Sequence, residues 1–363
     1  MLETLDDFDG SPAARGRILE AFQSPLPGGA TQPRSQVDHW EAAVEADPAG
    51  TFRVDKSGMA WLGDLAAGSF RARSLREMGP PEGTGRLRLW VLTGAHPVTD
   101  IGALQATAPP DSLFQVASQF NCLESPGAYL VRVADYFYDP TQGPRASISA
   151  YPGTLLRHYR APDGVGGHFA QSQGGRQINL LHAVEAPVHS GYLTSADLDR
   201  PAEFAERLEA QFDLLEVGVH EGVQVMLGAA WDGPVRPGTR ISQVFTSTLA
   251  AGGYGRIEPV HLSICRHLLR AAYLGTLLAA VALRQRRVVL TLIGGGVFGN
   301  PLDLIWESIL WALQQLEGRL PQDLTVIVNG RNLIPEVAEE VVRREVSRRG
   351  GDILFCYGSG IRF

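Results

Sequence analysis

Apolar runs alternate with amphipathic segments along most of the chain, and this alternation predicts strands and helices in turn. Short runs rich in β-branched residues, and segments of alternating polarity, are typical of strands. The predicted strands are residues 86–92, 113–117, 177–184, 215–227, 241–249, 287–293, 324–329 and 352–357. The predicted helices are residues 201–215, 259–284 and 335–349. The pattern therefore predicts an α/β fold in which a mixed sheet lies between helices.

The beginning of the chain has a different pattern. Residues 1–50 are helix-like with proline and glycine breaks, and residues 57–78 are expected to hold further helical turns. The sequence Gly-Pro-Pro-Glu-Gly at residues 79–83 is typical of a linker. We therefore predict an N-terminal helical extension or cap over residues 1–80 and a main domain over residues 81–363.

A strand, a glycine-rich loop and a helix follow one another between residues 286 and 311. The glycines at 294–296 come directly after the strand, and Asn300 and Pro301 are typical of a helix cap and first turn. Glycines let backbone N–H groups converge on one point, and a helix N-terminus adds a partial positive charge. This combination predicts an anion site, most naturally for phosphate. The loop could also be an ordinary α/β turn, since it matches neither a Walker A loop nor a Rossmann fingerprint.

Polar residues follow the predicted strand at residues 113–117. Gln119 and Asn121 come just after its carboxyl end, which is where open α/β sheets bind ligands. Asn121 is a candidate binding residue for this reason, although a turn or cap would also explain it.

Two acids lie in a later segment that is rich in small residues. Asp135 and Asp139 precede Gln142 and Gly143, and small residues beside two carboxylates suit the close approach of a bulky ligand. Pro140 favours an extended backbone, so the two carboxylates need not be adjacent. Asp139 could instead simply cap the helix that follows.

Composition narrows the function classes. The formal net charge is -7 and the pI about 5.7, so no general attraction to nucleic acid or anionic membrane is expected. Three scattered cysteines suit neither a disulfide framework nor a zinc site, and we expect a reducing, cytoplasmic compartment. The histidines form no metal-binding motif, so no metal site is predicted. Charged residues interrupt the apolar segment 262–283, which predicts a buried helix rather than a membrane span.

The glycine loop and the strand before it resemble the second half of a macrodomain, whose loop has the form Ser/Gly-x-Gly-Val-Phe/Tyr-Gly-x-Pro. In that family the loop wraps the diphosphate and distal ribose of ADP-ribose. Residues 115–123 resemble the strand and asparagine-bearing loop that touches this ribose, without the usual Asn-Ala-Ala-Asn. The ligand contacts that this resemblance implies are Gln119, Phe120, Asn121, Gly294, Gly295, Gly296, Val297, Phe298, Gly299 and Asn300.

Three stretches together are similar to an atypical macrodomain group: VASQFNCLE, YDPTQGPRASISAYPGTLLRHY and SQVFTST. Members of this group remove ADP-ribose from arginine side chains and use aspartates rather than a metal. The resemblance covers residues 86–363 and implies a three-layer α/β/α fold. It also implies that Asp139 and Asp135 are the catalytic carboxylates, with Gln142 and Gly143 lining the same loop.

The resemblance also implies an acid that holds adenine shortly before the asparagine-bearing strand. Asp111 and Asp100 both fit this description, and the sequence does not separate them.

The function expected from these observations is hydrolysis of the N-glycosidic bond between ADP-ribose and a modified protein side chain, with arginine as the expected acceptor. ADP-ribose would be the ligand or product, an ADP-ribosylated protein the substrate, and no cofactor would be required. Two alternatives remain open. The protein could bind ADP-ribose without turnover, or it could act on a free ADP-ribose derivative or an NAD-like nucleotide. In the second case the glycine-rich segment 161–175 would close over the ligand as a lid.

Overall fold

The computed structural model describes residues 12–23, 32–358 and 360–363. The strands in these residues are β1 (Phe52–Val54), β2 (Ala60–Leu62), β3 (Leu65–Ser74), β4 (Leu87–Thr93), β5 (Ser112–Ala117), β6 (Ala161–Pro162), β7 (His168–Phe169), β8 (Glu216–Gln224), β9 (Arg240–Thr246), β10 (Arg287–Thr291), β11 (Leu324–Asn329), β12 (Ile353–Tyr357) and β13 (Gly360–Arg362). Eleven of them form one sheet in the order β1-β2-β3-β8-β9-β5-β10-β11-β4-β12-β13, and β6 pairs with β7.

The α-helices of the described residues are α1 (Pro12–Gln23), α2 (Pro33–Ala46), α3 (Pro48–Thr51), α4 (Leu75–Met78), α5 (Ile101–Ala106), α6 (Gln142–Ser149), α7 (Tyr151–Tyr159), α8 (Pro201–Ala210), α9 (Leu262–Ala282), α10 (Leu302–Leu316), α11 (Leu333–Glu336) and α12 (Glu339–Arg348). A 3₁₀ helix covers Val133–Tyr138 and leads into the loop before α6.

The centre of the sheet is parallel. Strands β9, β5, β10, β11, β4 and β12 all run in one direction. Beyond β9, the sheet continues with β8, antiparallel to β9, and then β3, antiparallel to β8. Val288, Val289 and Leu290 of β10 are completely buried, because a parallel sheet is covered on both faces. The carboxyl ends of the parallel strands therefore meet at one edge of the sheet.

Helices cover both faces of this sheet. Gln115 of β5 donates from Nε2 to the carbonyl oxygen of Ala272 on α9, at 3.3 Å. Gln243 of β9 pairs with Phe114, the residue before Gln115 in β5. Its Nε2 donates to the carbonyl oxygen of Ala146 on α6, at 3.0 Å. Successive strand residues point to opposite faces, so α9 and α6 lie on opposite sides of the sheet. The predicted mixed, three-layer α/β/α architecture is confirmed.

Residues before position 80 contribute to the same sheet. β3 pairs with β8 from Ser69 to Ser74, so the sheet continues across the predicted boundary at residue 80. The helical turns predicted at 57–78 are wrong except for α4. Phe70 and Ala72 alternate with polar residues in this segment, and the small residues around them obscured this period of two.

The strand predicted at residues 177–184 is also wrong. Its end forms a 3₁₀ turn at His182–Val184, and the backbone N–H of Leu180 donates to the carbonyl oxygen of Phe120. Leu180 and Leu181 are buried, so this apolar run fills the core without joining a sheet.

One helical segment in the described residues, Pro259–Ala282, is long and apolar enough to cross a membrane by length and composition. Most of it is α9, and 72% of its most apolar window is buried inside the protein. The segment is therefore the predicted buried helix, packed between the sheet and α10.

Candidate active site

A cavity of about 500 Å³ opens at the carboxyl ends of β5, β10 and β11. Its walls come mainly from loops, namely residues 117–119, 124–125, 139–144, 291–298, 329 and 331–332. The glycine loop and Asp139 are far apart in the sequence, yet both face this one space. The cavity also includes Gln119, Gln142 and Gly143 from the predicted set.

Gly294 gives the glycine loop its shape. Its φ is +71°, and a Cβ built there would lie 2.4 Å from Cγ2 of Thr248 and 2.6 Å from Nδ2 of Asn300. Only glycine fits this conformation and this space. A Cβ at Gly295 would meet Leu302 at 2.7 Å, whereas one at Gly296 would have nothing within 4 Å. Gly296 is therefore the glycine with open space around it.

The loop presents unpaired donors. Within the described part of the chain, the backbone N–H groups of Gly296, Val297 and Phe298 have no acceptor. They lie just before α10, whose N-terminus carries a partial positive charge. All three residues line the cavity. Free N–H groups close to a helix N-terminus can form an anion-binding concavity, so this loop suits a diphosphate.

Asn300 has a different role from the one its sequence position suggests. The helix begins at Leu302 with Pro301 as its N-cap, so Asn300 is not the cap. Its Oδ1 accepts from the Thr248 hydroxyl at 3.2 Å, and its Nδ2 donates to the carbonyl oxygen of Leu249 at 3.0 Å. Asn300 is buried and ties the loop to the segment after β9, and neither it nor Gly299 lines the cavity.

Three aromatic rings form one wall. Phe298 lies with its ring centroid 5.6 Å from Tyr192 and 5.7 Å from Tyr254, and these two tyrosines are 5.1 Å apart. All three line the cavity. They offer apolar surface beside the free backbone donors, as a ribose ring on a diphosphate requires.

Asp139 lies in a turn before α6. Its Oδ1 accepts from the backbone N–H of Thr141 at 3.0 Å, and Thr141 rather than Asp139 is the N-cap. Gln142 follows, and its Oε1 accepts from the backbone N–H of Ile101 at 2.9 Å. Gly143 must be glycine, because a Cβ there would lie 2.3 Å from the carbonyl oxygen of Ala117. This close approach brings the Asp139 turn against the end of β5.

The second carboxyl of the cavity is Glu124, which sequence reasoning did not identify. Glu124 is 4% exposed and lines the same space as Asp139. Ser147 on α6 donates to its Oε1 at 3.4 Å, and a Cβ at Gly143 would lie 2.9 Å from its Oε2. In the sequence, Glu124 is distinguished only as an acid in a polar loop after a strand. Its burial becomes visible only in the fold.

Two effects raise the pKa of the Glu124 carboxyl well above its ordinary value. The larger is burial, which removes water from the charged form, and the second is the negative charge of Asp139. The buried guanidinium of Arg157 and the Ser147 hydroxyl lower this pKa and offset only part of the increase. Glu124 therefore holds its proton to a higher pH than an ordinary glutamate, which suits a general acid.

Asp135 does not line the cavity. It lies on the 3₁₀ helix Val133–Tyr138, and its Oδ1 accepts from the Arg34 guanidinium at 3.3 Å. Asp139 follows this helix in an extended conformation, so the four-residue spacing does not put the two carboxylates on one helix face. The carboxyl that accompanies Asp139 in the cavity is thus Glu124 rather than Asp135.

Phe120 and Asn121 also lie outside the cavity lining. Phe120 is 3% exposed and belongs to the core. Asn121 donates from Nδ2 to Oε1 of Gln177 at 3.0 Å and accepts the backbone N–H of Leu123 on Oδ1. Asn121 therefore holds the loop after β5 in place, while Gln119 reaches the cavity.

Of the two acids considered for adenine, Asp111 lies at the wrong edge of the sheet. It precedes the first residue of β5 and forms an ion pair with Arg287, at the amino ends of the strands. Asp100 lies near the cavity but forms a buried ion pair with Arg145 and accepts the backbone N–H of Gly102. Neither carboxylate lines the cavity.

The end of β11 contributes polar residues that sequence reasoning missed. Asn329 and Arg331 line the cavity and both donate to the carbonyl oxygen of Thr99. Among the described residues, the buried Oδ1 of Asn329 and Oε1 of Gln119 have no hydrogen-bond partner. Buried polar atoms rarely stay unpaired, and both residues line the cavity, so a water or a ligand donor is the expected partner of each of these oxygens.

The segment 161–175 forms the β6–β7 hairpin and a turn, and none of its residues lines the cavity. Gln173 donates to the Ser190 hydroxyl at 3.1 Å, and its Oε1 accepts the backbone N–H of Leu130 at 2.8 Å. These contacts hold it away from the site, in contrast to the lid considered from the sequence. No cluster of three His, Cys, Asp or Glu residues that could hold a metal ion occurs in the described ranges.

No family model and no curated protein sequence matches the chain. Among solved structures, it is similar to poly(ADP-ribose) glycohydrolase from Thermomonospora curvata bound to the inhibitor ADP-HPD, with 14% identity over 87% of this chain and 98% of that chain and a TM-score of 0.44. It is also similar to poly(ADP-ribose) glycohydrolase from Deinococcus radiodurans in complex with ADP-ribose, with 14% identity, coverage of 77% and 94%, and a TM-score of 0.43. Both identities and both TM-scores are low, so this likeness does not identify the activity of the chain.

Proposed function

We propose that this protein is a hydrolase that cleaves the glycosidic bond between ADP-ribose and its acceptor. One observation carries the proposal: a single cavity joins a loop of free backbone donors to two carboxyl groups, Glu124 and Asp139. The donors suit a diphosphate, and the carboxyls suit chemistry at a sugar.

The diphosphate would lie against the N–H groups of residues 296–298. Phe298, Tyr192 and Tyr254 would then pack against a ribose. Adenine would extend toward the end of β11, where the unpaired Oδ1 of Asn329 can accept its exocyclic amine. The two acids considered from the sequence are not available to hold adenine there: Asp100 is paired with Arg145, and Asp111 lies at the opposite edge of the sheet.

The two carboxyls have environments that suit different roles. Glu124, whose pKa is raised by burial, would donate its proton to the leaving atom of the acceptor as the C–N or C–O bond breaks. Asp139 is half-buried at the cavity wall, and its carboxylate would stabilise the positive charge that develops on the sugar. Water then adds to the anomeric carbon and loses one proton, which restores the protonated glutamate.

We propose arginine as the modified side chain from which ADP-ribose is released, on the sequence resemblance alone. The arginine-linked substrate arrives as a guanidinium cation, so the C–N bond can break to release a guanidine, and the proton of Glu124 converts this strong base to guanidinium as it departs. The similar solved structures are poly(ADP-ribose) glycohydrolases, so poly(ADP-ribose) is the reference substrate for comparison. Release of ADP-ribose from arginine-modified protein, with little release from the polymer, would support the arginine linkage.

The decisive experiment separates turnover from binding. Glu124→Gln and Asp139→Asn should each lower kcat for ADP-ribose release by about 10²–10⁴-fold, the usual contribution of a positioned acid or base. Both variants should still bind ADP-ribose in calorimetric titrations, because the glycine loop is intact. A native protein that binds ADP-ribose but releases none from any substrate would be a reader, and the hydrolase proposal would be wrong.

A further inference from the structure

Tyr136, at a buried position of the 3₁₀ helix Val133–Tyr138, is hydrogen-bonded to both acid-bearing positions. Its hydroxyl oxygen accepts the backbone N–H of Glu124 at 2.8 Å. Its backbone carbonyl oxygen accepts the N–H of Asp139 at 3.0 Å. The two acids come from separate loops, after β5 and before α6, and this one residue connects them.

The hydroxyl of Tyr136 has a second partner that fixes its direction. Its oxygen lies 2.7 Å from Nε2 of His158 on α7. Since this oxygen accepts the Glu124 N–H, the arrangement that also uses the tyrosine proton has it donated to Nε2 of a neutral imidazole that carries its own proton on Nδ1. Burial, and then the charge of Arg157, lower the pKa of His158 to about 3, so the ring stays neutral.

Water does not compete for these hydrogen bonds. Tyr136 is 2% exposed and His158 is 4% exposed, and neither lines the cavity. A hydrogen-bonded chain in such a low-dielectric setting is geometrically well defined, and losing one member leaves a buried group unpaired. Tyr136 therefore acts on the carboxyls from behind the site and does not contact a ligand.

We propose that Tyr136 is a positioning residue, which with His158 holds the Glu124 and Asp139 carboxyls at their working separation. This inference rests on the proposed hydrolase function. In glycoside hydrolysis the separation of two carboxyls decides whether a water fits between them, and a displacement of about 1 Å costs about 10²-fold in rate. Fixing the backbone at both acids with one tyrosine is a direct way to hold that separation.

The variant Tyr136→Phe keeps the ring in the core and removes only the hydroxyl. The charges that act on the Glu124 carboxyl are those of Asp139 and Arg157, the Ser147 hydroxyl donates to it, and this substitution changes none of these groups. Burial raises the pKa of the Tyr136 phenol, so the hydroxyl that is removed carries no charge. The neighbouring Tyr192 and Cys122 are neutral for the same reason. Any shift in the alkaline limb of the pH–rate profile would therefore report a displaced Glu124 rather than a lost charge. A suitable control is Tyr151→Phe. Tyr151 lies on α7 and is buried, as Tyr136 is, but among the described residues it bonds to neither acid.

We expect Tyr136→Phe to lower kcat by about 10- to 100-fold, to shift the alkaline limb, and to leave the ADP-ribose Kd unchanged. Tyr151→Phe should leave all three unchanged. His158→Leu should reproduce part of the loss in kcat, and His158→Gln, whose amide oxygen can accept the tyrosine proton, should restore it. A Tyr136→Phe enzyme with native kcat and a native pH profile would overturn the positioning role.

Crystal structures of native protein and Tyr136→Phe keep the two proposals distinguishable. If the native protein released no ADP-ribose, the hydrolase function would fail, but the structures would still test the positioning role. A Glu124 carboxyl displaced from Asp139 in the variant supports it. Carboxyls that superimpose on those of the native protein would overturn it.

Discussion

Glu124 and Asp139 face the same cavity from two different loops, and the negative charge of Asp139 contributes to the raised pKa of Glu124. The first carboxyl is buried, whereas the second is half-buried and accepts a backbone N–H from Thr141. Two acids whose environments differ in this way can divide the roles of proton donor and charge stabiliser.

The raised pKa of Glu124 predicts a pH-dependent cost in stability. In the folded protein this group keeps its proton to a higher pH than in the unfolded chain, so the unfolded state loses its proton first. Stability therefore falls as pH rises from the unfolded pKa toward the folded pKa, by about 1.4 kcal/mol for each pH unit between them. Glu124→Gln removes this cost, so its free energy of unfolding should exceed that of the native protein at pH 8.

Urea unfolding at pH 4 and pH 8 checks this prediction. At pH 4, below the ordinary glutamate pKa, Glu124 is mostly protonated in both states, and the advantage of Glu124→Gln should largely disappear. The exposed Glu221 on β8 supplies the control, since Glu221→Gln should show no such difference between the two pH values. A Glu124→Gln protein that is less stable than native at pH 8 would mean that Glu124 is charged in the folded state.

The glycine loop predicts different outcomes for two neighbouring substitutions. Gly294→Ala should lower the free energy of unfolding by about 1–3 kcal/mol, because the residue has a positive φ and its Cβ would clash with Thr248 and Asn300. Gly296→Ala has open space and should leave stability within about 0.5 kcal/mol of native. Its methyl group would instead crowd the free N–H groups and weaken ADP-ribose binding.

Thermal unfolding with and without ADP-ribose separates the two effects. The native protein should gain about 2.7 kcal/mol at a ligand concentration of a hundred times Kd. Gly296→Ala should keep the native Tm without ligand and lose most of the gain. A full ligand-induced gain in Gly296→Ala would place the diphosphate elsewhere.

The sequence is informative where the chemistry of a site depends on residues that are adjacent along the chain. The glycine loop at 294–296 needs no information beyond a strand before it and a helix after it. The structure places the candidates Gln119 and Asp139 at the cavity: the first follows the end of a strand, and the second belongs to a loop of small residues with a second acid. Asp135 was a candidate through the family resemblance, and the structure places it outside the cavity lining, on the 3₁₀ helix before Asp139.

Residues whose role depends on distant neighbours were not identified. Glu124 is unusual only because α6 and the Asp139 turn bury it, and Asn329 reaches the cavity only because β11 lies beside β10. Asn300 fits the sequence pattern of a helix cap, but its partners Thr248 and Leu249 follow another strand. Burial and strand order are long-range properties, so a single sequence does not reveal them.

Asn329 lies at the carboxyl ends of the parallel strands and Asp111 at their amino ends, so substitutions of these two residues should affect ligand binding differently. Asn329→Ala removes the unpaired Oδ1 at the end of β11 and should weaken ADP-ribose binding by about 1 kcal/mol, a typical net hydrogen bond. Asp111→Ala should leave the ADP-ribose Kd unchanged, because Asp111 lies at the amino edge with Arg287. Isothermal titration calorimetry on both variants decides this, and weaker binding by Asp111→Ala alone would favour Asp111, one of the two acids considered from the sequence, as the residue that holds adenine.

The N-terminal residues predict a further effect on the Asp139 segment through Glu41 of α2. This carboxylate is completely buried and accepts the backbone N–H groups of Val133 and Ala134 at 2.6 and 2.9 Å, together with the Tyr159 hydroxyl at 2.7 Å. It thus anchors the start of the 3₁₀ helix that leads to Asp139. Glu41→Ala leaves these two buried backbone N–H groups without their acceptor, whereas the Tyr159 hydroxyl keeps Glu45, and it should cost about 2–4 kcal/mol of folding free energy.

Glu45 is the matched control, because it lies one turn further along α2 and also accepts from Tyr159, but its side chain is 42% exposed. Glu45→Ala should cost less than about 1 kcal/mol, as for other exposed ion pairs. Urea midpoints measure both changes, and limited proteolysis should cut near residues 130–139 faster in Glu41→Ala. Equal losses in the two variants would show that α2 only covers the sheet. Unequal losses would show that the chain before residue 80 holds the acid loop and cannot be removed from the domain without cost to the site.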